Sequence, residues 1–325
     1  MNEQSMKTQA VVIAEPHKVE LREVELTPLG ADDLVVETVY TSISAGTERM
    51  LLAGQMPHPM LRLPVIPGYE TVGRVVASGA NVPPSLAEQW VYVGGARCYV
   101  DVNPAWGGQT QRLHADYQRV VPLDTLEPRL GVLLALTATA LHGVDLLGES
   151  LTGRRILVLG QGPVGQLAAR IARARGAWVA VTDRVASRLA RSQADLVIDA
   201  NTQPLAEQLG APCDTIIEAT GSMPALTATL AALSNDSTIL LLGYYETLNL
   251  PYMPLFLKQV RLLTAKEWAP GDLVRSRDLI ATGVINVDSL ITHDLPIAEL
   301  EHAYDVALNA PECLKLVLNW SSLLT

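Results

Sequence analysis

The chain has 325 residues, enough for two domains that each bury a core of their own. Apolar residues make up 49% and charged residues 18%, which excludes a disordered chain, and 24 Lys plus Arg against 34 Asp plus Glu leave a net charge of −10, a field that repels nucleic acid and anionic headgroups. Cys98, Cys213 and Cys313 are too few and too scattered for a disulfide framework or a four-thiolate zinc site, so a reducing, cytoplasmic setting is expected.

Met1 to Ser5 is polar and carries no basic start followed by an apolar core, so no secretory signal is read there and Met6 is a candidate natural start. From Thr8 to Asp124, short alternating runs such as Ala10 to Ile13, Val19 to Val24, Leu34 to Tyr40, Thr71 to Val76 and Trp90 to Val93 predict a β-rich domain. The apolar stretch from Leu130 to Leu147 is long enough to weigh as a membrane span. Thr137, Thr139, His142 and Asp145 interrupt it, and it reads as a buried helix, with no transmembrane segment expected. Beyond it, Arg155 to Gly160, Trp178 to Asp183, Leu196 to Asp199, Thr215 to Thr220 and Thr238 to Tyr244 are strand-like, with helix-like intervals between most of them. That alternation predicts an α/β fold with a doubly wound parallel sheet. After Trp268 a helix over about 272–282, a short strand around Leu290, a helix over about 297–308 and a strand from Leu314 to Leu318 are expected. No solenoid repeat or low-complexity tract is visible.

Gly160-Gln161-Gly162-Pro163-Val164-Gly165 follows a strand and opens a helix. In that setting Gly160 permits the tight turn, Gly162 lets backbone approach a pyrophosphate, Gly165 lets helix and sheet pack closely, and the helix N-terminus at Pro163 and Val164 faces the anion. Asp183, at the end of the next strand, is placed to accept hydrogen bonds from the adenosine ribose, which favours NAD. Arg184 and Arg188 are the opposing signal for a 2′-phosphate, and Asp183 as a cap of the next helix is the structural alternative. Thr220, Gly221, Gly243 and Tyr244 fall at later strand ends, where the cofactor lies or where plain turns occur.

The segment from Pro67-Gly68-Tyr69-Glu70 to Val75, the Gly-Gln-Gly-Pro-Val-Gly loop and the C-terminal return together resemble the medium-chain dehydrogenase/reductase superfamily over nearly the whole chain. Within it, Ser42-Ile43-Ser44-Ala45-Gly46-Thr47-Glu48, Pro67 to Glu70, Gly243-Tyr244-Tyr245, Lys266-Glu267-Trp268-Ala269-Pro270-Gly271-Asp272-Leu273 and the tail from Leu290 to Lys315 resemble the bacteriochlorophyllide a dehydrogenase family. The resemblance implies a GroES-like β-rich catalytic domain over 1–125 and 266–325 and a Rossmann domain over 126–265. It implies NAD-dependent oxidation of the 3-(1-hydroxyethyl) group of a chlorophyllide or bacteriochlorophyllide to 3-acetyl, in bacteriochlorophyll biosynthesis. A homodimer and loose association with a photosynthetic membrane stay open.

Where the superfamily's zinc enzymes place a cysteine ligand this chain has Ser44; where they place His before Glu it has Tyr69-Glu70; where a third thiolate follows, Leu136-Thr137-Ala138-Thr139 has none. Ser, Tyr and Thr do not build a soft-ligand zinc site, the four-cysteine lobe is missing, and His58, His114 and His142 are isolated, so no metal is expected. A side chain must then take the alcohol proton. The resemblance puts Thr47 and Glu48 in the proton-relay region, Tyr69 and Glu70 in the former metal cradle, and His142 near the end of the helix beside the nicotinamide. A buried carboxylate or a histidine can serve as base near neutral pH. Each has a bland alternative: Thr47 and Glu48 as the hydroxyl cap and first-turn acid of a helix, Glu70 holding an arginine or a backbone amide, His142 as a hydrogen-bonded helix residue. The base is not identified by sequence, and a water-mediated relay is a further route.

A macrocycle needs an open apolar slot, and Tyr244-Tyr245-Glu246 through Leu250 to Phe256 supplies aromatic and Met residues for its wall or, alternatively, for a subunit interface. Ser44, Tyr245, Tyr252, Phe256 and Trp268 are the substrate candidates. Two other functions share the pattern. One is a zinc-independent quinone or enoyl reductase using NADPH, against which Asp183 argues; the other is a non-catalytic NAD-binding protein.

Overall fold

The computed structural model describes residues 6–56, 62–202 and 205–324. The readings of residues 1–5 and of His58 lie outside the described residues. The chain forms two compact units, 1–135 with 291–325, and 136–290.

The first unit begins with β1 (Lys7–Glu15), β2 (Lys18–Glu25), β3 (Asp33–Ile43) and the helix α1 (Ala45–Leu52). It continues through β4 (Val65–Ile66), β5 (Thr71–Ser78), β6 (Trp90–Val93), β7 (Asn103–Pro104), β8 (Arg112–Asp116) and β9 (Val120–Pro122). The second unit carries α2 (Leu134–Asp145), which starts at the boundary, then β10 (Arg155–Leu159), α3 (Pro163–Ala174), β11 (Trp178–Asp183), α4 (Ala186–Leu189) and β12 (Leu196–Asp199). After these come α5 (Leu205–Leu209), β13 (Cys213–Glu218), α6 (Met223–Thr229), β14 (Leu233–Leu241), α7 (Tyr252–Leu257), β15 (Arg261–Thr264) and α8 (Asp272–Ala281). The chain re-enters the first unit with β16 (Ile291–Pro296), α9 (Leu300–Asn309) and β17 (Lys315–Asn319).

Two sheets build the first unit, one ordered β2-β1-β4-β7 and one ordered β16-β17-β3-β5-β6-β9, with β8 also on β3. The outer half of β5 alternates buried Val75 with exposed Arg74 and Val76, as a half-covered strand should. Strand β3 is buried along most of its length because it serves two cores. Leu34 and Val36 pack with Val91 and Leu113, whereas Ile43 packs with Leu316, Leu318 and Trp320. The antiparallel register sets Ile43 opposite Leu316 and Ser42 opposite Val317, and β5 brings Thr71 opposite Thr41. One end of this sheet thereby gathers Ser42, Glu70 and Lys315 from three separate stretches of sequence.

The second unit is a six-stranded sheet ordered β12-β11-β10-β13-β14-β15, and every neighbouring pair in it is parallel. Strand order reverses between β10 and β13, which leaves a crevice at their carboxyl ends, the place where doubly wound sheets take a nucleotide. The sheet has one strand more than the sequence suggested. Three of the four residues of β15 are exposed, so no apolar run marked it. The predicted helix from Leu130 is a 3-10 turn over Pro128–Leu133 that passes into α2.

The units divide at 135/136 and 290/291. Residues 266–290, which the resemblance implied to go with the β-rich domain, lie in the second unit. Arg275 of α8 pairs with Asp145 of α2 at 2.7 Å, and Arg170 of α3 donates to Ser289 Oγ at 3.0 Å, which ties this segment to the Rossmann helices.

Candidate active site

Ser44 stands at the N-cap of α1, yet its side chain makes no capping bond. Its hydroxyl lies 2.5 Å from the Tyr69 hydroxyl, and Thr47 Oγ1 lies 3.2 Å from the same phenol oxygen. Ser44 and Thr47 are three residues apart and so share one face of the first turn. Tyr69 therefore joins two hydroxyls into a three-member chain. The sequence reading of Thr47 as the helix cap is corrected here: Ser44 is the cap residue, and Thr47 sits inside the first turn with its hydroxyl on Tyr69. Burial first, and the Glu70 charge second, hold the Tyr69 phenol above its ordinary range, so it remains neutral and can pass a proton on only by receiving another.

Glu70 lies just before β5. Its Oε2 is 2.6 Å from Lys315 Nζ, with both side chains almost fully buried, and it also accepts the Ser42 hydroxyl. The expected partner, an arginine or a backbone amide, is replaced by a lysine from the return segment. Glu70 Oε1 is buried without a hydrogen-bond partner.

Glu48, in the first turn of α1, accepts from the Ser44 backbone N–H at 3.0 Å, from Gln109 Nε2 at 3.0 Å and from the Tyr304 hydroxyl at 2.5 Å. The first-turn-acid reading is thus correct for this residue. Burial pushes its carboxyl up to about 7 against the pull of the Tyr304 and Ser44 hydrogen bonds, which favour the charged form. A carboxyl raised in the folded state binds its proton more tightly there than in the unfolded chain. Its contribution to stability is full below about pH 4.5 and is lost as pH rises through about 7. The loss is on the order of 3 kcal/mol. Urea unfolding at pH 5 and pH 8 should therefore show a fall in wild-type stability that is largely absent from Glu48→Gln, and an equal fall in both proteins would assign it elsewhere.

The second unit carries the nucleotide loop. Gly160 has φ +86°, and a Cβ there would come within 2.8 Å of Thr220 Cγ2. A Cβ on Gly165 would sit 1.9 Å from the Gly160 carbonyl oxygen, so only glycine lets α3 approach β10. Gly162, the N-cap of α3, has open space where a side chain would be, and no side chain caps the helix. Pro163 and Val164 form its first turn, leaving the helix N-terminus to face an anion.

Asp183 accepts from the Gln161 backbone N–H at 2.6 Å and from the Val185 N–H at 2.9 Å. Val185 is the N-cap of α4, so Asp183 is not that helix's cap; it lies against the glycine loop. Arg184 is exposed beside it. Thr220 donates its hydroxyl to buried Glu218, and Gly243 backs onto the same carboxylate, where a Cβ would come within 2.6 Å of Glu218 Oε2. These residues shape the turns at the ends of β13 and β14. The geometry fits a dinucleotide.

His142, in the last turn of α2, has Nδ1 3.4 Å from Asp272 Oδ2, and Asp272 also accepts the Ala269 N–H and the Arg275 guanidinium. The histidine thus belongs to the second unit, paired with a carboxylate that also holds the loop carrying half-buried Trp268. Tyr245 turns toward the Rossmann core with Leu250 and Leu255, whereas Tyr244 stays exposed. Tyr252 and Phe256 stack at 5.5 Å and are 68% and 58% exposed. Lys315, Ser42, Gln109 and Tyr304 went unrecognised in the sequence. Ser42, Tyr304 and Lys315 stood inside segments that carry the resemblance, but nothing local tied them to Glu70 or Glu48.

The superfamily's catalytic zinc does not fit these residues. Ser44 and Tyr69 offer neutral hydroxyls already bonded to each other, and Glu70 is engaged by Lys315 and Ser42. His114 is buried on β8 with its backbone N–H on Cys98, and among the described residues no group of three His, Cys, Asp or Glu could hold a metal ion.

The zinc-binding dehydrogenase family model matches residues 163–273. The chain is 33% identical, over 97% of its own length and 99% of the relative, to 2-desacetyl-2-hydroxyethyl bacteriochlorophyllide A dehydrogenase of Cereibacter sphaeroides, and likewise 33% identical to the protein of that description from Rhodobacter capsulatus. Among solved structures, an alcohol dehydrogenase of Escherichia coli CFT073 complexed with NADH matches with a TM-score of 0.84 at 20% identity, covering 97% of this chain and 99% of that one. A Sinorhizobium meliloti 1021 protein bound to NADP matches with a TM-score of 0.84 at 24% identity, covering 97% and 100%. A GroES-like β unit together with a Rossmann unit, and relatives of this kind, define an oxidoreductase of the medium-chain dehydrogenase/reductase class. Within it, the chain belongs to the 2-desacetyl-2-hydroxyethyl bacteriochlorophyllide A dehydrogenase family.

Proposed function

We propose that the chain oxidises the 3-(1-hydroxyethyl) side chain of a chlorophyllide or bacteriochlorophyllide to 3-acetyl, with NAD as hydride acceptor and no catalytic zinc. The observation that carries this reading is the Ser44–Tyr69–Thr47 hydroxyl chain, standing where zinc ligands would be in a chain that aligns end to end with bacteriochlorophyllide dehydrogenases. NAD supplies the hydride acceptor when bound. The alcohol hydroxyl donates to the Tyr69 oxygen, Tyr69 donates to Thr47, and half-buried Thr47 passes the proton toward water. Ser44 orients the phenol through its 2.5 Å contact. Incubation with NAD⁺ and a 3-hydroxyethyl chlorin should give NADH and the spectral change of a newly conjugated acetyl group. NAD⁺ binding with neither change would overturn the reading.

Asp183 supports NAD over NADP, because its carboxylate lies against the nucleotide loop and repels a 2′-phosphate. Asp183→Ser should weaken NAD and narrow its advantage over NADP by about 1–3 kcal/mol, the scale of a lost charge-assisted hydrogen bond. Titration of both cofactors checks this, and an unchanged preference would place the acid elsewhere. Tyr252, Phe256 and the exposed edge strand β15 support either a wall for the macrocycle or a homodimer contact. Among the described residues no helix is long and apolar enough to cross a membrane.

A further inference from the structure

Trp106 stands beside the phenol, and the hydroxyl chain does not account for it. Its ring centroid is 5.3 Å from that of Tyr69, edge to face at 65°, and the residue is 39% exposed. Its φ is +71°, the left-handed region that is sterically unfavourable for a bulky side chain. The loop holds it there firmly. The Trp106 carbonyl accepts the Ala96 N–H at 2.7 Å, and the flanking Ala105 and Gly107 amides both donate to the Ile66 carbonyl, at 2.8 and 3.0 Å. Gly95 faces the same Trp106 carbonyl, where a Cβ would come within 2.4 Å. A large apolar ring left partly in water on an unfavourable backbone forgoes part of its burial energy and adds strain. Folding energetics therefore do not explain a tryptophan at this position.

The geometry points to Trp106 as a stacking platform that holds a flat conjugated macrocycle with its peripheral alcohol at the Tyr69 hydroxyl. This rests on the tetrapyrrole reading above. A pinned, rigid indole gives π-contact area at little entropic cost, and its separation from Tyr69 is smaller than the width of a tetrapyrrole. A ring resting on Trp106 thus reaches Tyr69 with a substituent on its rim. Trp106 is in this sense a specificity-determining residue: it selects extended π-systems over small alcohols.

The test compares wild type, Trp106→Phe and Trp106→Gly with saturating NAD⁺ and a 3-hydroxyethyl chlorin. Glycine suits the +71° backbone, so Trp106→Gly should melt at or above the wild-type temperature. Its KM for the chlorin should rise about 10-fold or more, the scale of a lost stacking contact, with kcat moved far less and NAD affinity kept. Trp106→Phe should fall between, and the chlorin should quench less tryptophan emission in it than in wild type. Wild-type turnover with an unchanged KM in Trp106→Gly would overturn the platform alone, as would a lower melting temperature with KM preserved. A wild-type protein that binds NAD⁺ and ignores the chlorin would overturn the substrate reading and the platform with it.

Discussion

Tyr69→Phe should lower turnover about 100-fold or more while NAD affinity stays as it was, the usual scale for general acid–base help. The phenol oxygen is the one atom of the site that touches both the Ser44 and the Thr47 hydroxyls, at 2.5 and 3.2 Å. Removing it keeps the ring and its contact with Trp106 but breaks the chain into two hydroxyls with nothing between them. NAD affinity survives because the glycine loop and Asp183 belong to the other unit. Ser44→Ala and Thr47→Ala each remove one end of the chain and should cost less than the phenol does. Steady-state kinetics with the chlorin alcohol reads all three, and near-normal turnover in Tyr69→Phe would end the hydroxyl-chain route.

The second large effect is on stability. Lys315→Met should destabilise the fold by about 3–5 kcal/mol, because it strands the Glu70 carboxylate in a site that is 0% exposed. Breaking a buried pair costs far more than the pair is worth, since the surviving charge keeps its desolvation penalty and loses its attraction. Here the penalty is sharpened by Glu70 Oε1, which already lacks a partner. The double variant Glu70→Gln with Lys315→Met should recover most of the loss, as it removes both charges together. Urea unfolding of the two single variants and the double supplies the cycle. Additive losses would show that lysine and glutamate act independently and that their 2.6 Å contact carries little coupling.

The glycine loop that forms the candidate nucleotide site was legible in the chain because its signals are local. Gly160, Gly162 and Gly165 are spaced by the turn they make, Pro163 opens the helix that follows, and Asp183 ends the next strand. Each is specified by backbone geometry within a few residues of itself. The same holds for the lack of zinc-type ligands at these positions: Ser44 and Tyr69 stand where thiolate and imidazole would be, and no folding is needed to see it.

The bonding around the acids was settled only by the tertiary structure. Glu48 reads in sequence as a first-turn helix acid, which it is, but Tyr304 reaches it from 256 residues away and Gln109 from 61. Lys315 meets Glu70 across 245 residues, through the register that sets β17 beside β3 and β3 beside β5. Hydrophobic period and turn chemistry report what a segment does with its nearest neighbours along the chain. Which polar groups become partners inside a sheet depends on strand order and register, and these follow from how the whole unit buries its apolar faces. Trp106 is the clearest case: no sequence signal singled it out, and only the packing of its loop brings its ring beside Tyr69.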